Sequence, residues 1–172
     1  SPHTLLADVH KLPPGGWLTW QEGRIETGSF FAFPDPAEPG LTEDDLDGWT
    51  TRLRATLDAA VGRQMISDVP LGAFLSGGLD SSILVSAMSR ASSRPVKTFS
   101  IGFADSGYDE LPFARAMARH VGAEHHEAVL EANSIDLLPR VIHHLDQPIA
   151  DFSVFPTLLV SELARRHVTV SL

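Results

Sequence analysis

The chain has 172 residues, 43% of them hydrophobic, and 13 Lys and Arg against 22 Asp and Glu give a formal net charge of −9. This length predicts one domain, or one domain plus a remnant, with enough apolar residues for a core. The acidic balance argues against general nucleic-acid or anionic-membrane binding, and the absence of cysteine excludes disulfides, thiolate metal sites and a cysteine nucleophile within these residues.

In chain order, residues 1–33 read as short strands and turns. The start lacks the basic and long apolar regions of a signal peptide, and nothing approaches a membrane span. Pro13-Pro14-Gly15-Gly16 is a turn, and Trp17 to Trp20 and Arg24 to Thr27 flank Glu22-Gly23 as a hairpin would. Three prolines within 34–40 fit neither helix nor central strand. We therefore expect a remnant domain over 1–33, a linker over 34–41 and a second domain over 42–172. Thr42 is a helix cap followed by Glu43, Asp44 and Asp45, and Leu46, Trp49, Leu53, Leu57, Ala60 and Val61 recur at helical spacing to about Met65. Strands are predicted at 71–75, 96–103, 125–130 and 168–172. Helices are predicted at 81–91, 108–121 (stopped by Gly122), 134–145 (with Pro139 at a kink or late start) and 154–166. This alternation predicts an α/β fold, a parallel sheet with helices on both faces, whose ligands bind at strand carboxyl ends. The apolar last strand stops without a following loop, which suggests a truncation. Its open edge would invite pairing between copies, a homodimer among the outcomes.

The richest stretch is Leu75-Ser76-Gly77-Gly78-Leu79-Asp80-Ser81-Ser82. It follows an apolar run and opens an apolar helix. Two glycines let a backbone approach an anion, and the next N–H groups project from a helix N-terminus, where the dipole favours negative charge. Serine hydroxyls add donors, and Asp80 can hold Mg²⁺ against phosphate oxygens. The segment points to a nucleotide. It has no lysine, so it is not a Walker loop.

Its form, SGGxDS, resembles the loop of PP-loop ATP pyrophosphatases, which implies pyrophosphate binding, attack at the α-phosphate and a Rossmann-like fold. Ser67 to Ser82, Thr98 to Phe103, Tyr108-Asp109-Glu110, Ala114-Arg115, Glu124 to Glu127, Asp146 to Asp151 and Pro156-Thr157 are similar to the synthetase domain of glutamine-hydrolysing asparagine synthetases. Leu12 to Gly15 resembles the end of that family's glutaminase domain. The absence of cysteine fits a reducing, cytoplasmic setting, and the resemblance implies an ATP- and Mg²⁺-dependent amide ligase. It would activate the aspartate side-chain carboxylate as an acyl-adenylate and pass ammonia from glutamine onto it. Leu75 and Ile101 would contact adenosine, largely through backbone atoms. Ser76, Gly77, Gly78, Asp80, Ser81 and Ser82 would bind the pyrophosphate, and Asp80 would be the metal ligand. The glutaminase cysteine and the later SGxGxDE-like loop are absent from these residues, so no catalytic residue is assigned and the chain alone is expected to be inactive. The same loop occurs in β-lactam synthetases and lasso-peptide cyclases, which activate other carboxylates, and a non-catalytic nucleotide-binding module is a third reading.

Other chemistry-bearing residues read as structural. His125 and Glu127 share one face of a strand and His126 the other, which suggests a solvated strand end rather than a metal site. Asp109 and Glu110 suit a helix N-terminus, Arg115 and Arg119 a solvated face, and His143-His144 and Arg165-Arg166-His167 helix C-termini.

Overall fold

The computed structural model describes residues 3–33, 45–103, 109–130, 134–145, 149, 151 and 153–172. The expected linker, the Thr42 cap with Glu43 and Asp44, Tyr108 and the stretch 146–148 lie outside the described residues. The chain falls into two units, Ser1–Asp45 and Leu46–Leu172.

In the first unit, β1 (Gly16–Gln21) and β2 (Arg24–Ser29) pair antiparallel, with Gly16 opposite Ser29 and Gln21 opposite Arg24. The two-residue turn needs positive φ at both positions, and Glu22 (φ 50°) and Gly23 (φ 81°) supply it. The Trp17 indole lies over Gly28, where a Cβ would come within 2.5 Å of the ring.

The second unit is α1 (Leu46–Gln64), β3 (Leu71–Phe74), α2 (Leu79–Ala91), β4 (Lys97–Phe103), α3 (Leu111–Val121), β5 (Glu124–Leu130), a 3₁₀ turn (Ser134–Leu137), α4 (Leu138–His144), α5 (Val154–Arg165) and β6 (Val170–Ser171). Its four strands are parallel in the order β5-β4-β3-β6. Alternate side chains of the sheet enter two cores. Ala73 and Leu75 pack with Val61, Val85, Met88, Ala114 and Ala118 from α1, α2 and α3. Phe74 and Phe99 pack with Val160, Leu163 and Ala164 from α5. Helices thus cover both faces, as the alternation predicts.

Local chemistry sets the element ends. Gly122 adopts φ 67° and its N–H, with that of Ala123, closes the carboxyl end of α3 on Arg119 and Ala118. Helix α3 begins at Leu111, where Asp109 Oδ1 accepts the Leu111 N–H at 3.2 Å and Pro112 sits in the first turn. Pro139 takes the corresponding place in α4, so the late start is realised and the preceding turn is 3₁₀. The apolar stripe of α1 departs from expectation: Val61 is buried, while Leu46 and Leu53 are more than 60% exposed. Only the carboxyl half of α1 meets the core, where Asp58 also pairs with Arg90 of α2 at 2.5 Å. No helix among the described residues is long and apolar enough to cross a membrane.

Candidate functional site

Strand β3 sits between β4 and β6. The chain leaves it through α2 to β4 on one side and returns from β5 to β6 on the other, so the strand order reverses at β3. The carboxyl end of the strand at such a reversal is the position where open parallel sheets bind ligands. Residues Ser76 to Gly78 occupy that end.

The loop is built in three steps. Leu75 is its buried anchor: the side chain is in the core, its N–H donates to the Phe99 carbonyl at 2.9 Å, and its carbonyl accepts the buried Ser100 hydroxyl. Gly77 then turns the chain at φ 85°, and a Cβ there would fall 2.5 Å from the Ala114 nitrogen and 2.6 Å from Phe113 Cβ. Only glycine satisfies both the conformation and the closeness of α3. Gly78 caps α2 in an extended conformation (φ −66°, ψ 167°), and its carbonyl accepts the Ser82 N–H at 3.1 Å. A Cβ at Gly78 would meet only Ser76 Oγ, at 3.2 Å.

The structure brings Ser76 and Ser81 together. Their hydroxyls lie 3.1 Å apart, Ser76 Oγ accepts the Gly78 N–H at 3.2 Å, and Ser81 Oγ donates to the Gly78 carbonyl at 3.2 Å. The hydroxyls hold the loop's shape, and the N–H groups of Leu79, Asp80 and Ser81 are the first-turn donors that the helix itself leaves without an acceptor. Asp80 is exposed in that turn, where the dipole favours a carboxylate. Ser82 stands apart: its side chain lines a groove of about 410 Å³ with Leu53, Leu57, Ile83 and Met117, between α1, α2 and α3. Ile101 lies two residues beyond the last β3–β4 pair, Phe74 opposite Phe99.

Among the described residues no group of three or more His, Cys, Asp or Glu could enclose a metal. Asp80 fits the manner in which Mg²⁺ is held, by one or two carboxylates with substrate phosphates supplying other ligands. Away from the loop, His125 and Glu127 do share a face of β5, but the strand end is not solvated as expected. His125 is tucked in with its Nδ1 2.9 Å from Thr98 Oγ1, and burial pushes its pKa below the ordinary value despite the nearby Glu127 carboxylate. Arg115 is likewise more than a solvated cation. It donates from Nε and Nη2 to both Glu127 oxygens, at 2.8 and 2.7 Å, and this holds the Glu127 carboxyl below its usual range.

Two residues of the site were not evident from sequence. Ser100 gave a signal, a second hydroxyl beside Thr98 in the run Thr98 to Phe103, and so did Gly102, over which Leu111 packs.

Sheet order and helices on both faces define a doubly wound α/β domain with a glycine–serine loop at the carboxyl end of β3. The asparagine synthase family model matches residues 52–172, and the chain belongs to that family. It is 36% identical over 173 residues to asparagine synthetase [glutamine-hydrolyzing] 1 of Bacillus subtilis, covering 99% of this chain and 27% of that protein. It is 36% identical over 108 residues to the asparagine synthetase [glutamine-hydrolyzing] of Bos taurus, covering 59% and 19%. A solved NH3-dependent NAD synthetase from Campylobacter jejuni is similar at 18% identity and TM-score 0.46, over 67% of this chain and 51% of its own. The chain thus spans about a quarter of the length of the first of these curated relatives.

Proposed function

We propose that this chain supplies the nucleotide-binding part of an ATP-dependent, glutamine-hydrolysing asparagine synthetase. One observation carries the reading: in a member of the asparagine synthase family, the Ser76–Asp80 loop stands at the carboxyl end of β3, at the switch point of the sheet. The polyphosphate of ATP would lie over Gly77 and Gly78, against the N–H groups of Leu79, Asp80 and Ser81. Adenosine would lie beside Leu75 and Ile101, with Leu75 fixing the loop's origin and Ile101 offering main-chain groups. Ser76 and Ser81 would keep the loop in shape or turn their hydroxyls to phosphate oxygens, and Ser82 would contribute from the next position of α2.

The chemistry suits these parts. Attack on the α-phosphate by the aspartate side-chain carboxylate requires pyrophosphate to leave with its charge neutralised, and preorganised backbone donors do this without reorganising. Mg²⁺ on Asp80 would supply charge neutralisation of the leaving group. The remaining work is to hold the carboxylate in line, which is positioning; ammonia from glutamine would then attack the acyl carbon of the adenylate, lose a proton and expel AMP to give the amide.

Aspartate-dependent ATP–pyrophosphate exchange by the complete protein tests the reading. We expect exchange with aspartate, and a fall of at least about tenfold for Asp80→Ala, the equivalent of one charge-assisted contact. Exchange supported by a different carboxylic acid but not by aspartate would overturn the substrate assignment. Undiminished exchange in Asp80→Ala would overturn the role given to that carboxylate.

A further inference from the structure

We propose that Arg115 and Glu127 form a positioning pair for the pyrophosphate loop: their ion pair fixes helix α3 along β5, and α3 is the wall against which Gly77 turns. The proposal rests on the nucleotide reading above and adds two residues that lie outside the loop.

The loop leans on the first turn of one helix. A Cβ added at Gly77 would fall 2.5 Å from the Ala114 nitrogen and 2.6 Å from Phe113 Cβ, so the bend that aims Gly78 and the first-turn donors of α2 lies directly on α3. The bend follows any displacement of that turn. Packing sets the depth of α3 over the sheet. Leu111, Ala114 and Ala118, two of them alanines, are its buried residues, and Leu111 covers Gly102 of β4. Large side chains interlock as ridges and grooves and so resist sliding; alanines let the helix lie close but hold it weakly along the strands.

The directional restraint comes from the next residue. Arg115 follows Ala114 and reaches across to β5, donating from Nε and Nη2 to both Glu127 oxygens at 2.8 and 2.7 Å. Two parallel bonds fix orientation as well as distance. Glu127 has a fixed place of its own, opposite Ser100 in the β4–β5 ladder. Nearby, His125 Nε2 stands 3.8 Å from Glu127 Oε2, beyond hydrogen-bonding reach, so among the described residues the carboxylate is bonded through Arg115. An exposed pair of this kind adds little to global stability. Its effect lies in where it acts, one residue from the turn that Gly77 touches.

Charge alone and positioning predict opposite results for one substitution. Glu127→Gln removes a negative charge and by electrostatics should tighten the binding of an anion. In the complete protein we expect it instead to weaken inorganic pyrophosphate with Mg²⁺ by up to about fivefold, the reach of an exposed ion pair. It should also speed hydrogen exchange across Ser76–Ser82 without nucleotide. Arg115→Met should do the same, and the double variant should lose no more than either single one, as for residues that act through one contact. Asp58→Asn is the control. It too removes one carboxylate and breaks an exposed pair, with Arg90 in the last turn of α2, and it should change neither readout. Unchanged loop exchange, or unchanged or tighter pyrophosphate binding, in Glu127→Gln would overturn the proposal while leaving the nucleotide reading in place. Losses that add in the double variant, or equal losses in Asp58→Asn, would do so as well. If the unsubstituted protein bound neither ATP nor pyrophosphate, the nucleotide reading would fall and the role of the pair with it.

Discussion

The two glycines of the loop answer to different physics. Gly77 is required by the fold: its φ of 85° costs an L-residue about 1–2 kcal/mol, and its added Cβ would collide with the Ala114 backbone. Gly77→Ala should therefore lower the urea midpoint and displace the loop together. Gly78 has no such need, since its extended backbone suits any residue and only a serine hydroxyl stands nearby. Gly78→Ala should cost about 1 kcal/mol or less, as at other helix caps, yet weaken pyrophosphate binding because a methyl would stand where phosphate oxygens approach. Equal losses of stability in the two variants, measured by urea unfolding, would contradict this division. Sequence marks both positions alike. Only the packing of α3 against one of them tells fold from ligand.

Helix α2 carries both core and site, which makes its packing measurable in binding. Met88 is fully buried with Val85 and Ala87, and Met88→Ala should cost about 2–5 kcal/mol in unfolding experiments without touching the first turn. The seam between β5 and α3 carries the pH response. Burial lowers the His125 pKa from 6.5, so the unfolded chain takes up a proton there before the folded one does. Stability is then full above about pH 6.5 and falls as pH drops toward the folded value. Glu127, held low by Arg115, adds a further loss below its ordinary 4.5. His125→Asn should flatten the decline of the urea midpoint between pH 7 and 5.5; an unaltered slope would show that His125 does not titrate on unfolding. Element order was readable because each punctuation mark has a local cause: Glu22-Gly23 for the hairpin, Gly122 for the end of α3, Pro139 for the late α4. The burial of His125 was not readable, because strand alternation assigns a face and not the depth of the helix laid over it. The exposed first half of the α1 stripe was missed for the same reason.

A chain of charge −9 cannot gather a polyanion by diffuse attraction. Binding would depend on short-range donors and on the metal, so ATP affinity should not fall as sodium chloride is raised from about 50 to 300 mM, whereas a basic site would weaken steeply over a comparable range. Titration at several salt concentrations, with Mg²⁺ held constant, checks this. Of the candidate site, the loop and its place at a strand end were legible from eight consecutive residues. The tie between Ser100 and Leu75 was not, since it joins strands whose register no local pattern encodes. The most direct test is a crystal structure of the protein with α,β-methylene-ATP and Mg²⁺. The account predicts the β- and γ-phosphates within hydrogen-bonding reach of the Gly78–Ser81 backbone and the base beside Ile101. A polyphosphate seated elsewhere, such as in the groove beside Ser82 and Met117, would contradict it.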